Sequence, residues 1–194
     1  MSNTRQAQHP IDASFTARWS PRAFTGQPLS REQLNMLFEA SRWAPSAMNV
    51  QPWRFCYALK GTPEFDRFVD LLLEGNQVWA KQAGALVAIL STTTYVGHDG
   101  VAKPFASHAF DAGSAWMSLA LQAQQAGLIT HAMGGFDSVR ARDYLQVPDD
   151  LAIQAFVAIG YQGDAAQLPE ALQAREKASD RRPVQEWTFE GPLS

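Results

Sequence analysis

Ala44-Pro45-Ser46-Ala47-Met48-Asn49-Val50-Gln51-Pro52-Trp53-Arg54-Phe55 is the stretch around which the chain organises itself. A helical pattern runs into it and an alternating, strand-like pattern leaves it. Pro45 ends the helix, because a proline ring disfavours the α conformation of the residue before it. With Pro52 it bounds a loop carrying Ser46, Asn49 and Gln51, side chains that hydrogen-bond a polar heterocycle without competing for protons. The same side chains are equally suited to satisfying the loop's own backbone, so the stretch alone reads either as a recognition loop or as a self-contained turn.

Upstream, Ser30-Arg31-Glu32-Gln33 is a capping box, in which Ser30 and Gln33 satisfy each other's backbone N–H groups. It opens a helix with Leu34, Leu37, Phe38 and Ser41 at helical spacing. Further upstream stands Arg18-Trp19-Ser20-Pro21-Arg22-Ala23-Phe24. Extended spacing places Arg18, Ser20 and Arg22 on one side and offers two guanidinium forks and a hydroxyl to a phosphate-sized anion. A solvated arginine pair is the competing reading, since surface charges usually contribute little.

Downstream, residues 54–60 alternate as a strand, and Thr62-Pro63 supply the N-cap and first position of a helix with Phe65, Phe68, Val69 and Leu72 on one face. Residues 85–90 are a continuous apolar run, the pattern of a strand covered on both sides. Residues 105–125 read as a long Ala-rich helix, whose Trp116, Leu119, Ala120 and Ala123 imply burial and which Gly127 terminates. A short strand and glycine turn over 129–136, a short helix over 138–145 and an apolar strand over 151–161 complete an α+β pattern. The tail, with Pro169, Pro183, Pro192 and the charged run 175–182, is expected to cross a surface; its Trp187 and Phe189 need an apolar cover, which a second protomer can supply.

With 194 residues, 46% hydrophobic and 18% charged, the chain is able to bury a core and is read as one domain over 1–194, with 1–13 flexible. A net charge of −3 removes the cationic excess that nucleic-acid binding requires. The polar N-terminus and the lack of any long apolar window point to a cytoplasmic protein without a membrane partner. Cys56 is the single cysteine and reads as a core thiol. Walker A, G-x-S-x-G, H-E-x-x-H and G-x-G-x-x-G patterns are absent. His108 and Asp111, three apart, lack the third ligand a metal site needs, so no metal is expected.

The R-x-S-x-R-x-F pattern at 18–24, the capped helix and A-P-S-x-x-N-x-Q-P-W-x-F at 44–55 have the order and spacing of the FMN-dependent nitroreductase family, which the chain resembles. Asp111-Ala112-Gly113, Ala126-Gly127-Leu128, Gly134-Gly135-Phe136, Ile159-Gly160-Tyr161 and Arg181-Arg182-Pro183 follow in the family's order. The resemblance implies a nitroreductase-like α+β fold: a central, mostly antiparallel sheet flanked by helices, in a homodimer with FMN at the subunit interface and a C-terminal tail reaching the partner.

By the same resemblance, Arg18 and Ser20 hold the phosphate and ribityl end of FMN, with Arg22 nearer the pyrimidine side. Pro45, Ser46 and Asn49 approach from the other subunit, with Gln51 as a weaker contributor. Gly134 and Gly135 lie beside the ring, where glycine permits close approach. Arg181, or alternatively Arg182, completes the phosphate site. Phe105 and Phe110 are candidates for the substrate face, or else core residues. The implied activity is ping-pong: NADH or NADPH gives hydride to flavin N5 and leaves, and a nitroaromatic, quinone or similar small acceptor takes the electrons. No catalytic side chain is required, because the cofactor carries the chemistry. A specialised relative (an enone or aldehyde reductase, or a reductive dehalogenase), a non-catalytic flavin-binding protein and an interaction protein using the Trp187 tail are the alternatives. The segment 92–103, where the family's substrate lid varies most, is only a modest insertion and leaves the acceptor unspecified.

Overall fold

A computed structural model of the chain describes residues 5–193. In chain order the regular elements are α1 (Ala13–Ala17), α2 (Arg31–Arg42), β1 (Trp53–Leu59), α3 (Pro63–Asp70), α4 (Glu74–Ala80), β2 (Ala85–Thr92), β3 (Thr94–Val96), β4 (Ala102–Pro104), α5 (His108–Gln125), β5 (Ile129–Met133), α6 (Ser138–Tyr144), β6 (Leu151–Gly160) and α7 (Glu170–Gln173). Four strands form one sheet in the order β1-β2-β6-β5. Every pair in it is antiparallel, with Trp53 opposite Ser91, Val87 opposite Val157 and Ala132 also opposite Val157. The fold is α+β.

The apolar run of β2 has a direct cause. Its side chains alternate between faces, and each face has its own cover. Leu86, Ala88 and Leu90 join a core with Phe65 and Phe68 of α3, Trp79 of α4 and Phe156. Val87 and Ile89 join a second core with Leu34 and Leu37 of α2 and Ala115, Leu119 and Ala123 of α5. Because α5 presents mainly alanine to the sheet, it can approach closely, and buried Ser41 of α2 donates to the Ala115 carbonyl at 3.1 Å.

Local end signals behave as their chemistry dictates. Ser30 and Gln33 form both bonds of the capping box. Thr62 accepts from the Phe65 N–H, with Pro63 at the first helical position. Gly127 takes φ +73° at the end of α5, while Gly127 N–H reaches Gln124 O and Leu128 N–H reaches Ala123 O, a Schellman closure.

One expectation needs correction, and one element had no expectation. The long helix begins at His108 rather than residue 105, because Phe105 continues the β4 backbone, donating its N–H to Thr93 O at 2.8 Å, and buries its ring against Tyr95. The segment 74–80, which contains Gly75 and Asn76, is a helix of its own; it is anchored from outside, with Leu73 N–H on Gly135 O at 3.0 Å. Residues 94–104 form a two-stranded hairpin.

Of the segment 1–13, residues 1–4 lie outside the described residues. Next to them Arg5 donates to Arg18 O at 2.9 Å, and Gln8 accepts from the Val184 N–H at 2.8 Å, so the two chain ends meet. Among the described residues no helix is long and apolar enough to cross a membrane.

Candidate functional site

The arginine segment leaves α1 extended and is held by β5 and by the tail. Pro21 O lies 3.0 Å from His131 Nδ1 on β5. Arg22 and Ala23 both donate backbone N–H groups to Glu176 Oε1, at 2.7 and 2.9 Å. Arg18 lines a cavity of about 200 Å³ with Trp19, Gln124, Thr130 and Gln162. Burial, and then the neighbouring charges of Arg181 and Arg5, push the Arg18 guanidinium below its ordinary value. Neither Arg18 nor Arg181 pairs with a carboxylate among the described residues; Arg181 donates only to Ser179 and to the Asp180 carbonyl. Cations drawn together without a matching carboxylate favour an anion in the space between them. Arg182 contributes its backbone carbonyl to Trp187 Nε1 at 3.5 Å, and Arg181 is the tail arginine among the charges that act on Arg18.

The loop after α2 has an unusual backbone. Met48, Asn49 and Gln51 have φ of 54°, 55° and 52°, the left-handed region that side chains with a Cβ avoid. Ser46 Oγ accepts from Gln51 N–H at 3.0 Å, Gln51 Nε2 donates to Asn49 O at 3.1 Å, and Asp111 Oδ2 accepts from Ala47 N–H at 3.0 Å. Ser46 therefore serves the loop's own backbone, while the exposed Asn49 side chain makes no hydrogen bond among the described residues. Pro45 is exposed beside it.

The glycine pair follows β5 directly. Gly135 O accepts from Leu73 N–H and from Asn76 Nδ2 at 2.9 Å, and a Cβ at position 135 would lie 2.7 Å from that nitrogen. Gly134 faces open space. His131 packs on Trp79 with centroids 4.6 Å apart, and Trp79 stacks on Phe24. Arg18, Ser20, Arg22 and the glycines thus belong to the same sheet edge. Ser20 is half-buried there.

The loop belongs to the other end of α5. Asp111, which tethers it, is in the first turn, whereas Gln124 lines the Arg18 cavity. At the helical rise these two positions are about 20 Å apart. Phe110, next in sequence to Asp111, is 80% exposed, while Phe105 is 4% exposed. Trp43 and Met48, 75% and 68% exposed, lie in the same region of the chain.

Several contributors escaped the sequence reading. His108 and Asp111 have separate partners: His108 Nδ1 lies 2.7 Å from Ser91 Oγ, which also accepts from Gln154 Nε2 at 2.9 Å. Asp111 in the first turn of a helix was the available signal for a loop tether. Asn76, His131 and Glu176 carry no local signal, because each meets its partner far along the chain.

The model of the Nitroreductase family matches residues 15–89 and 59–161. A crystal structure of an oxidoreductase containing FMN superposes with a TM-score of 0.96 at 46% identity, covering 100% of this chain and 98% of that one. NADH dehydrogenase of Thermus thermophilus is 31% identical over 178 residues, 78% of this chain and 87% of that protein. A putative NADH dehydrogenase/NAD(P)H nitroreductase of Rhodopseudomonas palustris is 28% identical over 186 residues, 87% of this chain and 92% of that protein.

Proposed function

The chain belongs to the nitroreductase family, and on that premise we propose an FMN-dependent NAD(P)H oxidoreductase of the cytoplasm that works as a homodimer. The convergence of Arg18 and Arg181, with no carboxylate paired to either among the described residues, carries this reading. It is the electrostatic form of a phosphate site.

The residues present fit FMN. Arg18, Ser20 and Arg181 would hold the phosphate and ribityl end, and Arg22, Gly134 and Gly135 the ring side of the same edge. When bound, FMN supplies the two-electron chemistry, accepting hydride from NADH or NADPH and giving it to a small nitroaromatic, quinone or similar acceptor. The chain's own residues bind and orient. Gly134 leaves the backbone uncovered, and Asn76 fixes the Gly135 carbonyl. Pro45, Ser46, Asn49 and Gln51 sit about 20 Å of helix away from Arg18, which supports their serving the site of a second copy. The exposed Trp43, Met48 and Phe110 beside that loop are the apolar surface such a copy would cover.

The test is the visible spectrum of the purified protein, followed by anaerobic NADH or NADPH in separate cuvettes. A bound flavin that bleaches with either nucleotide is expected. A colourless protein that takes up no added FMN overturns the proposal, and a monomer at micromolar concentration in sedimentation overturns its two-subunit form.

A further inference from the structure

Glu176 opens the tail that supplies Arg181, and its carboxyl group is buried, with the residue 5% exposed. Oε1 accepts the N–H groups of Arg22 and Ala23 across more than 150 residues of sequence. Oε2 has no hydrogen-bond partner among the described residues and lies 3.9 Å from Arg22 Nη1. One carboxylate therefore fastens the tail to the arginine segment and sets a negative charge behind one of its guanidinium groups. A buried carboxylate oxygen without a donor is costly to maintain, and here it faces a cation that is itself half-buried.

We infer that Glu176 is a positioning residue of the flavin site: it locks the Arg18–Arg22 segment to the segment bearing Arg181, and it partly neutralises Arg22. The inference rests on the FMN reading above. Two consequences separate its roles. The bonds to the Arg22 and Ala23 N–H groups require only an acceptor, which glutamine retains. The charge behind Arg22 requires the carboxylate. Reduction places negative charge on a flavin, so an Arg22 without its counter-charge stabilises the reduced form and raises the midpoint potential.

The experiment compares wild type, Glu176→Ala and Glu176→Gln for FMN dissociation, followed by the recovery of flavin fluorescence on dilution, and for the flavin midpoint potential. E176A is expected to raise the FMN dissociation constant at least about tenfold, the loss for a hydrogen bond to a charged group. E176Q is expected to retain FMN within about threefold, since a neutral acceptor supplies part of that bond, while its potential moves positive. Arg142→Ala is the control for general destabilisation, because the Arg142 side chain holds the carbonyls of Val147, Pro148 and Leu151; it is expected to lower Tm and keep wild-type FMN affinity.

A folded E176A that retains FMN like wild type, an E176Q with wild-type potential, or an R142A that loses FMN as E176A does each overturns the inference. A wild-type chain that takes up no FMN overturns the proposed function, and this inference with it.

Discussion

Replacing Asp111 with alanine cuts the tether between α5 and the loop that carries Ser46 and Asn49. The loop holds three non-glycine residues in the left-handed region, at roughly 1 kcal/mol each for such conformations. Against that strain stand the Ser46–Gln51 bond and the Ala47 N–H on Asp111 Oδ2. A bond to a buried carboxylate contributes about 1.5–3 kcal/mol, more than the 0.5–1.5 of a neutral one. Losing about 2 kcal/mol shifts an equilibrium roughly thirtyfold, enough for the loop to leave its observed form for much of the time. Asp111→Ala is therefore expected to weaken FMN binding between about tenfold and thirtyfold and to speed hydrogen exchange at the amides of 47–51. Asp111→Asn keeps an oxygen acceptor and falls between. Fluorescence titration with FMN and amide exchange read by mass spectrometry measure the two effects. Wild-type exchange in D111A would show that the tether does not hold the loop, and faster exchange with unchanged FMN affinity would show that the loop is not part of the site.

Arg18→Ala removes one charge-assisted phosphate contact and is expected to weaken FMN retention about tenfold to a hundredfold, while the rate of reduction of whatever flavin stays bound changes little; tight FMN retention refutes the assignment. Met48→Gly relieves a left-handed Cβ and is expected to stabilise the chain by about 1 kcal/mol in denaturant unfolding; a loss of stability would mean that the Met48 side chain holds more than its backbone angle costs. Burial holds the His131 imidazole below its ordinary value of 6.5. The unfolded chain therefore takes up a proton at a pH where the folded chain does not, so this stabilisation is complete above about pH 6.5 and is lost as the pH falls below it. Tm measured from pH 7.5 to 5.5 should drop less in His131→Gln than in wild type, and equal slopes would contradict this.

The elements legible in the sequence are those whose decisive interactions close within a few residues. Ser30 and Gln33 are three apart, Thr62 caps a helix that Pro63 begins, and Gly127 ends α5 through bonds to residues 123 and 124. The run 85–90 announces a strand covered on both faces, because only that environment favours unbroken apolar residues. The two motif stretches, 18–24 and 44–55, carried the family resemblance and with it the expected cofactor.

What tertiary structure decided has partners too distant for any sequence window. Helix α4 has no side-chain cap of its own and leans on Gly135. Phe105 has a helical pattern after it, yet buries its ring against Tyr95 instead. Ala47 meets Asp111 across 64 positions and Arg22 meets Glu176 across 154. Ser46 and Asn49 read alike as hydrogen-bonding residues, and only the folded loop turns the first to its own backbone and leaves the second exposed. Local hydrogen bonding and side-chain alternation are written in the order of residues, so the sequence determined the caps, the buried strand and the family's motif stretches. Which carboxylate holds which backbone, and which end of α5 each motif occupies, depend on packing summed over both faces of the sheet, and only the complete fold evaluates that sum.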